Sequence, residues 1–244
     1  MSEAPVKLYM CIDDTDILGS KGTGELAEEI AQCIEGLALG RCSGVTRHQL
    51  LVHPDIAYTS HNSSMCFEVE TQTQHWGAIC ALAQQYLLSH AAEGSDPGLC
   101  IAPASRLADP RLKAYGEAAK QQVLNRVQAY QLAFELGLHL SEHGGEGIGV
   151  IGALAGVALR YGGFDGRCKG KLELAAGTYT VAQLLAQDGI EQVMDSQGTL
   201  LEMSEVVNLQ GKLKTIWWDH QATLLVERVD GKWHNAGKPL LQAY

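Results

Sequence analysis

The 244-residue chain has no apolar run approaching the ~20 residues that a membrane-spanning helix needs. Its opening, MSEAPVK, lacks the basic-then-apolar layout of a signal peptide. A cytoplasmic protein with no membrane partner is the expectation. There is no C-x-x-C pair, so the seven cysteines (Cys11, Cys33, Cys42, Cys66, Cys80, Cys100 and Cys168) offer neither a zinc ribbon nor a dithiol redox centre. They read as reduced, mostly buried small hydrophobes. Positive charge is also scarce: 18 Lys and Arg stand against 28 Asp and Glu, a net charge of −10. Because nucleic-acid affinity rests on neutralising phosphates, direct binding of RNA or DNA is disfavoured. Phosphate-bearing small molecules stay open where a divalent cation bridges them to carboxylates. No Gly-Lys-Ser/Thr string is present, which excludes a Walker loop, and neither an internal repeat nor a proline-rich linker is visible.

What the chain does have is 46% hydrophobic residues, enough to bury a core as one large domain or two small ones. Lys7 to Ile12 alternates and then turns apolar, the pattern of a strand entering a core. Leu26, Ile30, Cys33 or Ile34, and Leu37 recur at helical spacing, with Thr23 placed as the N-cap. "VTRHQLLVHP" and "MCFEVE" read as strands joined by the polar loop "DIAYTSHNSS"; Trp76 to Ala92 reads as a helix and "GLCIAPA" as a strand entered through the turn "EGSDPG". Asp109 to His139 reads as one helix through Leu112, Tyr115, Ala119, Val123, Val127, Tyr130 and Phe134. The expected fold is α+β with a mixed sheet. After about Phe164 the texture changes to short strands and turns, which sets the expected boundary between residues 1–164, the catalytic region, and a small C-terminal β-rich region, 165–244.

Two stretches carry chemistry. In "IDDTDILGSKGTGE" three aspartates, Asp13, Asp14 and Asp16, crowd the end of the first strand, where like charges require either solvation or a cation. From Asp14 the string has acids at loop positions one and three, Gly19 at six and Glu25 at twelve, close to a calcium EF-hand loop, but Leu18 at position five has no oxygen and the preceding segment is a strand. A solvated turn remains a second reading. The third is a magnesium site serving a nucleotide, since magnesium takes one or two carboxylates plus phosphate oxygens. If extended geometry persists, Asp14 and Asp16 share one face and Asp13 takes the other. Gly22 and Gly24 would let backbone N–H groups approach an anion at the positive end of the next helix. The second stretch, "HGGEGIGVIGALA", places Gly144, Gly145, Gly147 and Gly149 before a small-residue helix with no clear strand ahead of it. It could cradle phosphate or mark a tight turn. His143 could be a base, a phosphate contact or a helix-end histidine, His61 and Asn62 could be turn or site residues, and Asp96 could be a turn former or a site residue.

In chain order, "IDDTD" with Thr23 seven residues later, "HPDIAYTSHNSS", "GSDPGL" and "HGGEGIGVIGALA" resemble the catalytic part of archaeal isoleucine-tRNA 2-agmatinylcytidine synthetase, over about Leu8 to Leu159. The resemblance implies a kinase-like core with a ferredoxin-like portion and the use of ATP and magnesium. It implies Asp13, Asp14 and Asp16 as metal and phosphate-handling groups, Thr23 as the phosphoacceptor counterpart, and His143 and the 144–149 glycines near the nucleotide; Asn62 is carried with the middle motif. The chain departs from the family in having Ser20-Lys21-Gly22-Thr23-Gly24 where the family has Gly-Met-Cys-Thr-Thr, and Ser60-His61-Asn62 where it has Arg-Gly-Asn. The cysteine quartet of the family's zinc ribbon is not among these 244 residues. The expected activity is therefore an ATP-dependent kinase or ligase-like reaction on a small-molecule or nucleotide-like acceptor. A nucleotide sensor without turnover, and a tRNA-modifying enzyme that borrows its RNA-binding part, are the alternatives; homo-oligomerisation stays open.

Overall fold

The structure, a computed structural model, describes residues 5–59, 61–170, 172–241 and 244. The chain forms two units, Met1–Gly162 and Gly163–Tyr244. In the first unit the elements run β1 (Val6–Asp13), α1 (Thr23–Gly36), β2 (Gly40–Cys42), β3 (Thr46–Gln49), β4 (Ser63–Thr71), α2 (Trp76–His90), β5 (Gly98–Pro103), α3 (Pro110–Ala119), α4 (Arg126–Leu136), β6 (His139–Glu142) and α5 (Val150–Gly162). The second unit holds β7 (Arg167–Cys168), β8 (Gly177–Thr180), α6 (Val181–Leu185), β9 (Gln192–Asp195), β10 (Val206–Leu209), β11 (Ile216–Trp218), β12 (Gln221–Val229), β13 (Lys232–Asn235) and α7 (Lys238–Leu241). The mixed α/β architecture expected from the sequence is present. Parallel pairs (β10 with β13, β9 with β12) lie in the second unit.

The first unit's sheet runs β6-β5-β1-β4-β3, with β2 also on β4, through antiparallel pairs. β1 is central and apolar on both faces, because alternate residues enter different cores. Leu8, Met10 and Ile12 pack with α1 and α2, through Leu26, Ile30, Ile34, Ile79, Ala83 and Leu87. Tyr9 and Cys11 pack with α3, α4 and α5, through Leu112, Ala129, Leu132, Leu154 and Val157. On α5 a Cβ at Gly156 would overlap the Cys11 sulfur and the Ser64 hydroxyl, and one at Gly152 would overlap the Asp13 carboxylate. The small residues of α5 are thus what let this helix lie close on the sheet, directly over the end of β1.

Three local expectations give way to the structure. The single helix over Asp109 to His139 is two helices and a strand: Asn125 and Gln128 form a reciprocal capping box that starts α4 afresh, and Gly137 in the left-handed region ends it before β6. Val127 and Phe134, two of the apolar residues that set the helical spacing, are 74% and 86% exposed. Thr23 is the first residue of α1 and Gly22 is its N-cap, with no side-chain cap bond. The glycine-rich stretch does follow a strand, β6.

Candidate functional site

The end of β1 is where three loops meet. β1 stops at Asp13, and Asp14 adopts a left-handed backbone (φ 52°), turning the chain out of the sheet. The extended geometry that would set Asp14 and Asp16 on one face therefore ends one residue too early. Asp13 is 7% exposed and faces α5, with its carboxylate against Gly152. Burial, then repulsion from Asp14, pushes its carboxyl up to about 8. Burial, then the charges of Asp96 and Asp16, raises Asp14 to about 6. Asp16 accepts a hydrogen bond from the Thr23 hydroxyl (Oγ1 to Oδ1, 3.0 Å), and the Thr15 N–H donates weakly to that same hydroxyl at 3.4 Å. Thr23 is 6% exposed, so the residue expected to accept phosphate is a buried link between the acidic loop and α1.

The turn at residues 92–98 braces this loop from one side. Ala92 N–H donates to the Thr15 carbonyl (3.0 Å) and Asp96 N–H to the Asp14 carbonyl (3.1 Å). From the other side the glycine loop closes on the same turn. His143 N–H donates to the Pro97 carbonyl (2.8 Å), Gly149 N–H to the Asp96 carbonyl (3.1 Å), Gly147 N–H to Asp96 Oδ1 (2.8 Å), and Glu146 N–H to that same oxygen. Thr59 Oγ1 donates to the Asp16 carbonyl at 2.7 Å, which ties in the middle loop. Asp96, which the sequence left open between a turn former and a site residue, and Thr59, which no sequence pattern marks, carry this assembly.

The individual site residues divide as follows. Gly144, Gly145, Gly147 and Gly149 lie beside the acidic strand, but the space each lacks a side chain in is filled by protein atoms: Pro97, the Asp96 carboxylate, the Glu142 carboxylate and the Asp96 carbonyl respectively. Close packing accounts for these four glycines, and the N–H groups of Gly147 and Gly149 are already used. Gly24 is buried in the first turn of α1. Gly22 has open space around it, at a helix N-terminus whose N–H groups no side chain caps. The Asn62 side chain donates to the Leu51 carbonyl (2.6 Å) and so closes the base of the middle loop; its neighbour Ser60 lies outside the described residues. The His143 ring lies 2.9 Å from Ser141 Oγ, which also meets His139. Ser141 pairs with Leu99 of the α1/α2 core, so His143 is on the face opposite to Asp13. Burial, helped by the charge of His139, lowers the His143 pKa and favours a neutral ring.

Among the described residues no three His, Cys, Asp or Glu side chains converge as a ready metal cage. The donor types present are those a hard cation takes alongside phosphate oxygens: the carboxyls of Asp13 and Asp14, raised by burial, and the next residue's Thr15 Oγ1, which is buried without a hydrogen-bond partner among the described residues.

No protein-family model matches the chain, and no curated protein matches it in sequence. Solved structures do match. A tRNA fluorescent labeling enzyme is similar at 26% identity and a TM-score of 0.54, over 62% of this chain and 36% of that one. TiaS in complex with a tRNA and ATP is similar at 25% identity and a TM-score of 0.54, over 63% and 36%. Apo TiaS, a tRNA agmatidine synthetase, is similar at 25% identity and a TM-score of 0.53, over 62% and 35%. The chain spans little more than a third of the length of these proteins. Within that span the chain is similar in fold to part of TiaS, a tRNA agmatidine synthetase.

Proposed function

We propose that this chain is an ATP- and magnesium-dependent phosphotransferase or activating enzyme of the TiaS type. The observation that carries the reading is the junction at the end of β1, where Asp16, two residues past the buried Asp14, is bonded to Thr23 at the open, uncapped N-terminus of α1. The similarity to a protein solved with ATP supports it. Asp14 and Asp16 would hold magnesium, which when bound neutralises phosphate charge. The N–H groups at Gly22 to Gly24 and the dipole of α1 would attract the polyphosphate. Asp16, 3.0 Å from Thr23 Oγ1, is placed to accept the threonine proton should that hydroxyl attack a phosphoryl group. His143 then contributes through the fold and not as a base, because its ring lies on the other face.

The acceptor we favour is a small molecule or a nucleotide-like group, given the net charge of −10. The tRNA in one of the solved complexes favours a second reading, an RNA acceptor with part of the binding surface supplied elsewhere. Purified protein incubated with magnesium and γ-labelled ATP should transfer label to Thr23 or to an added acceptor. Nucleotide binding without any transfer would sink the enzyme reading in favour of a sensor. Stimulation of ATP turnover by bulk tRNA at low salt would replace the small-molecule acceptor with RNA.

A further inference from the structure

A loop of backbone N–H groups before a helix is a natural seat for an anion. In this protein the seat at residues 145–147 holds an anion of the protein itself. Asp96 Oδ1 accepts from Gly147 N–H at 2.8 Å and from Glu146 N–H. A side chain at Gly145 would overlap the Asp96 carboxylate, so that glycine is needed for the fit. The same residue uses its backbone in both directions, donating to the Asp14 carbonyl and accepting from Gly149, each at 3.1 Å. Asp96 is therefore bonded both to the acidic loop and, three times over, to the glycine loop.

We infer that Asp96 is a positioning residue for the nucleotide site: its carboxylate fills the amide seat of the glycine loop as an internal substitute for a phosphate oxygen, and so fixes that loop against the acidic loop. This rests on the reading above that ATP binds at the end of β1. It also redirects the phosphates, which must be met at α1 and not by the glycine loop. Asp96 touches neither nucleotide nor acceptor; it acts through Asp14 and the loop it holds.

The test uses the full chain and two variants. Asp96→Ala empties the seat, whereas Asp96→Asn keeps an oxygen acceptor of the same shape and loses the charge. Amide hydrogen exchange at Glu146 and Gly147 reads the seat without reference to activity. It should be slow in the wild type, accelerate by about tenfold to a hundredfold in Asp96→Ala, and return to within about tenfold in Asp96→Asn, as the loss of charge-assisted bonds implies. Steady-state kinetics with ATP read the positioning. KM for ATP should rise about tenfold in Asp96→Ala with a smaller change in kcat, and Asp96→Asn should recover most of it. A fold weakened elsewhere would lower the amount of active protein and leave KM alone. Unchanged exchange in Asp96→Ala overturns the filled seat. Faster exchange with unchanged KM overturns the positioning role while leaving the ATP reading intact. An Asp96→Asn variant as damaged as Asp96→Ala overturns the rescue on which the role depends. Wild-type protein that shows slow exchange yet neither binds nor turns over ATP overturns the positioning role together with the ATP reading, while the seat itself stands.

Discussion

Replacing Asp13 by asparagine should stabilise the cation-free protein at mildly alkaline pH and remove most of the pH dependence of its stability. The wild-type carboxyl is 7% exposed against α5 and is pushed up to about 8, whereas an unfolded aspartate titrates near ~4. The folded state thus holds a proton that the unfolded state has already lost, and stability falls as pH rises between those two values. The slope is about 1.4 kcal/mol per pH unit, so the full window is worth on the order of 5 kcal/mol. Asp14, raised to about 6, adds a fall of the same sign that is complete near pH 6. His139 and His143, both lowered by burial, add a rise of opposite sign that saturates above the ordinary histidine value of ~6.5. Burial also keeps the thiols of Cys11, Cys42, Cys80 and Cys100 protonated while unfolded thiols begin to ionise near ~8.5, which adds a smaller fall of the same sign, about 0.5 kcal/mol in all between about pH 7 and 8, so Asp13 is the largest contributor in that interval. Urea unfolding in the presence of a chelator should show wild-type stability dropping across that interval by about 1.5 kcal/mol, a shallower fall of about 0.5 kcal/mol for Asp13→Asn, and a variant more stable than wild type at pH 8. A wild-type profile that is level or rising from pH 7 to 8, or a variant less stable than wild type there, would refute the claim that Asp13 is buried without a countercharge.

Two further substitutions test the fold around the site. Gly152→Ala puts a methyl group where the Asp13 carboxylate lies, and overpacking of this kind should cost about 1–3 kcal/mol in urea unfolding, whereas Gly22→Ala, with nothing near the added carbon, should cost under about 1 kcal/mol. Asn125→Ala should cost about 1 kcal/mol by removing the capping box that starts α4; a variant as stable as wild type would mean that α3 and α4 behave as the continuous helix suggested by hydrophobic spacing.

Elements with one dominant burial pattern were legible in the residues. β1 reads as a strand because both of its faces enter a core, and α1 reads as a helix because Leu26, Ile30 and Ile34 share one buried side. The α3–α4 break was hidden because Val123, Val127 and Phe134 continue a helical spacing that no core uses; a cap at Asn125 outweighed it. β2, an exposed Arg41 between two half-buried residues, and β6, a polar edge strand whose His139 and Ser141 face α2, have too little hydrophobic contrast to be seen. At the site, the acidic loop and the glycine stretch were visible as unusual strings and the fold does bring them together. Their division of labour was not visible. That depends on pairings across dozens of residues, Asp96 with Gly147 and Thr59 with Asp16, which local sequence does not encode.

The brace at residues 92–98 begins two residues beyond the end of α2, and its first bond joins Ala92 to Thr15. Whatever pulls on the acidic loop therefore pulls on the tail of a fifteen-residue rod lying along the sheet. A ligand settling near Thr15 would be felt as a tilt of that rod at its far end, around Trp76, more than twenty ångströms away by the rise of ~1.5 Å per residue. In a variant that keeps Trp76 and replaces Trp217, Trp218 and Trp233, indole fluorescence would then serve as a remote gauge of occupancy, with no probe attached to the site itself.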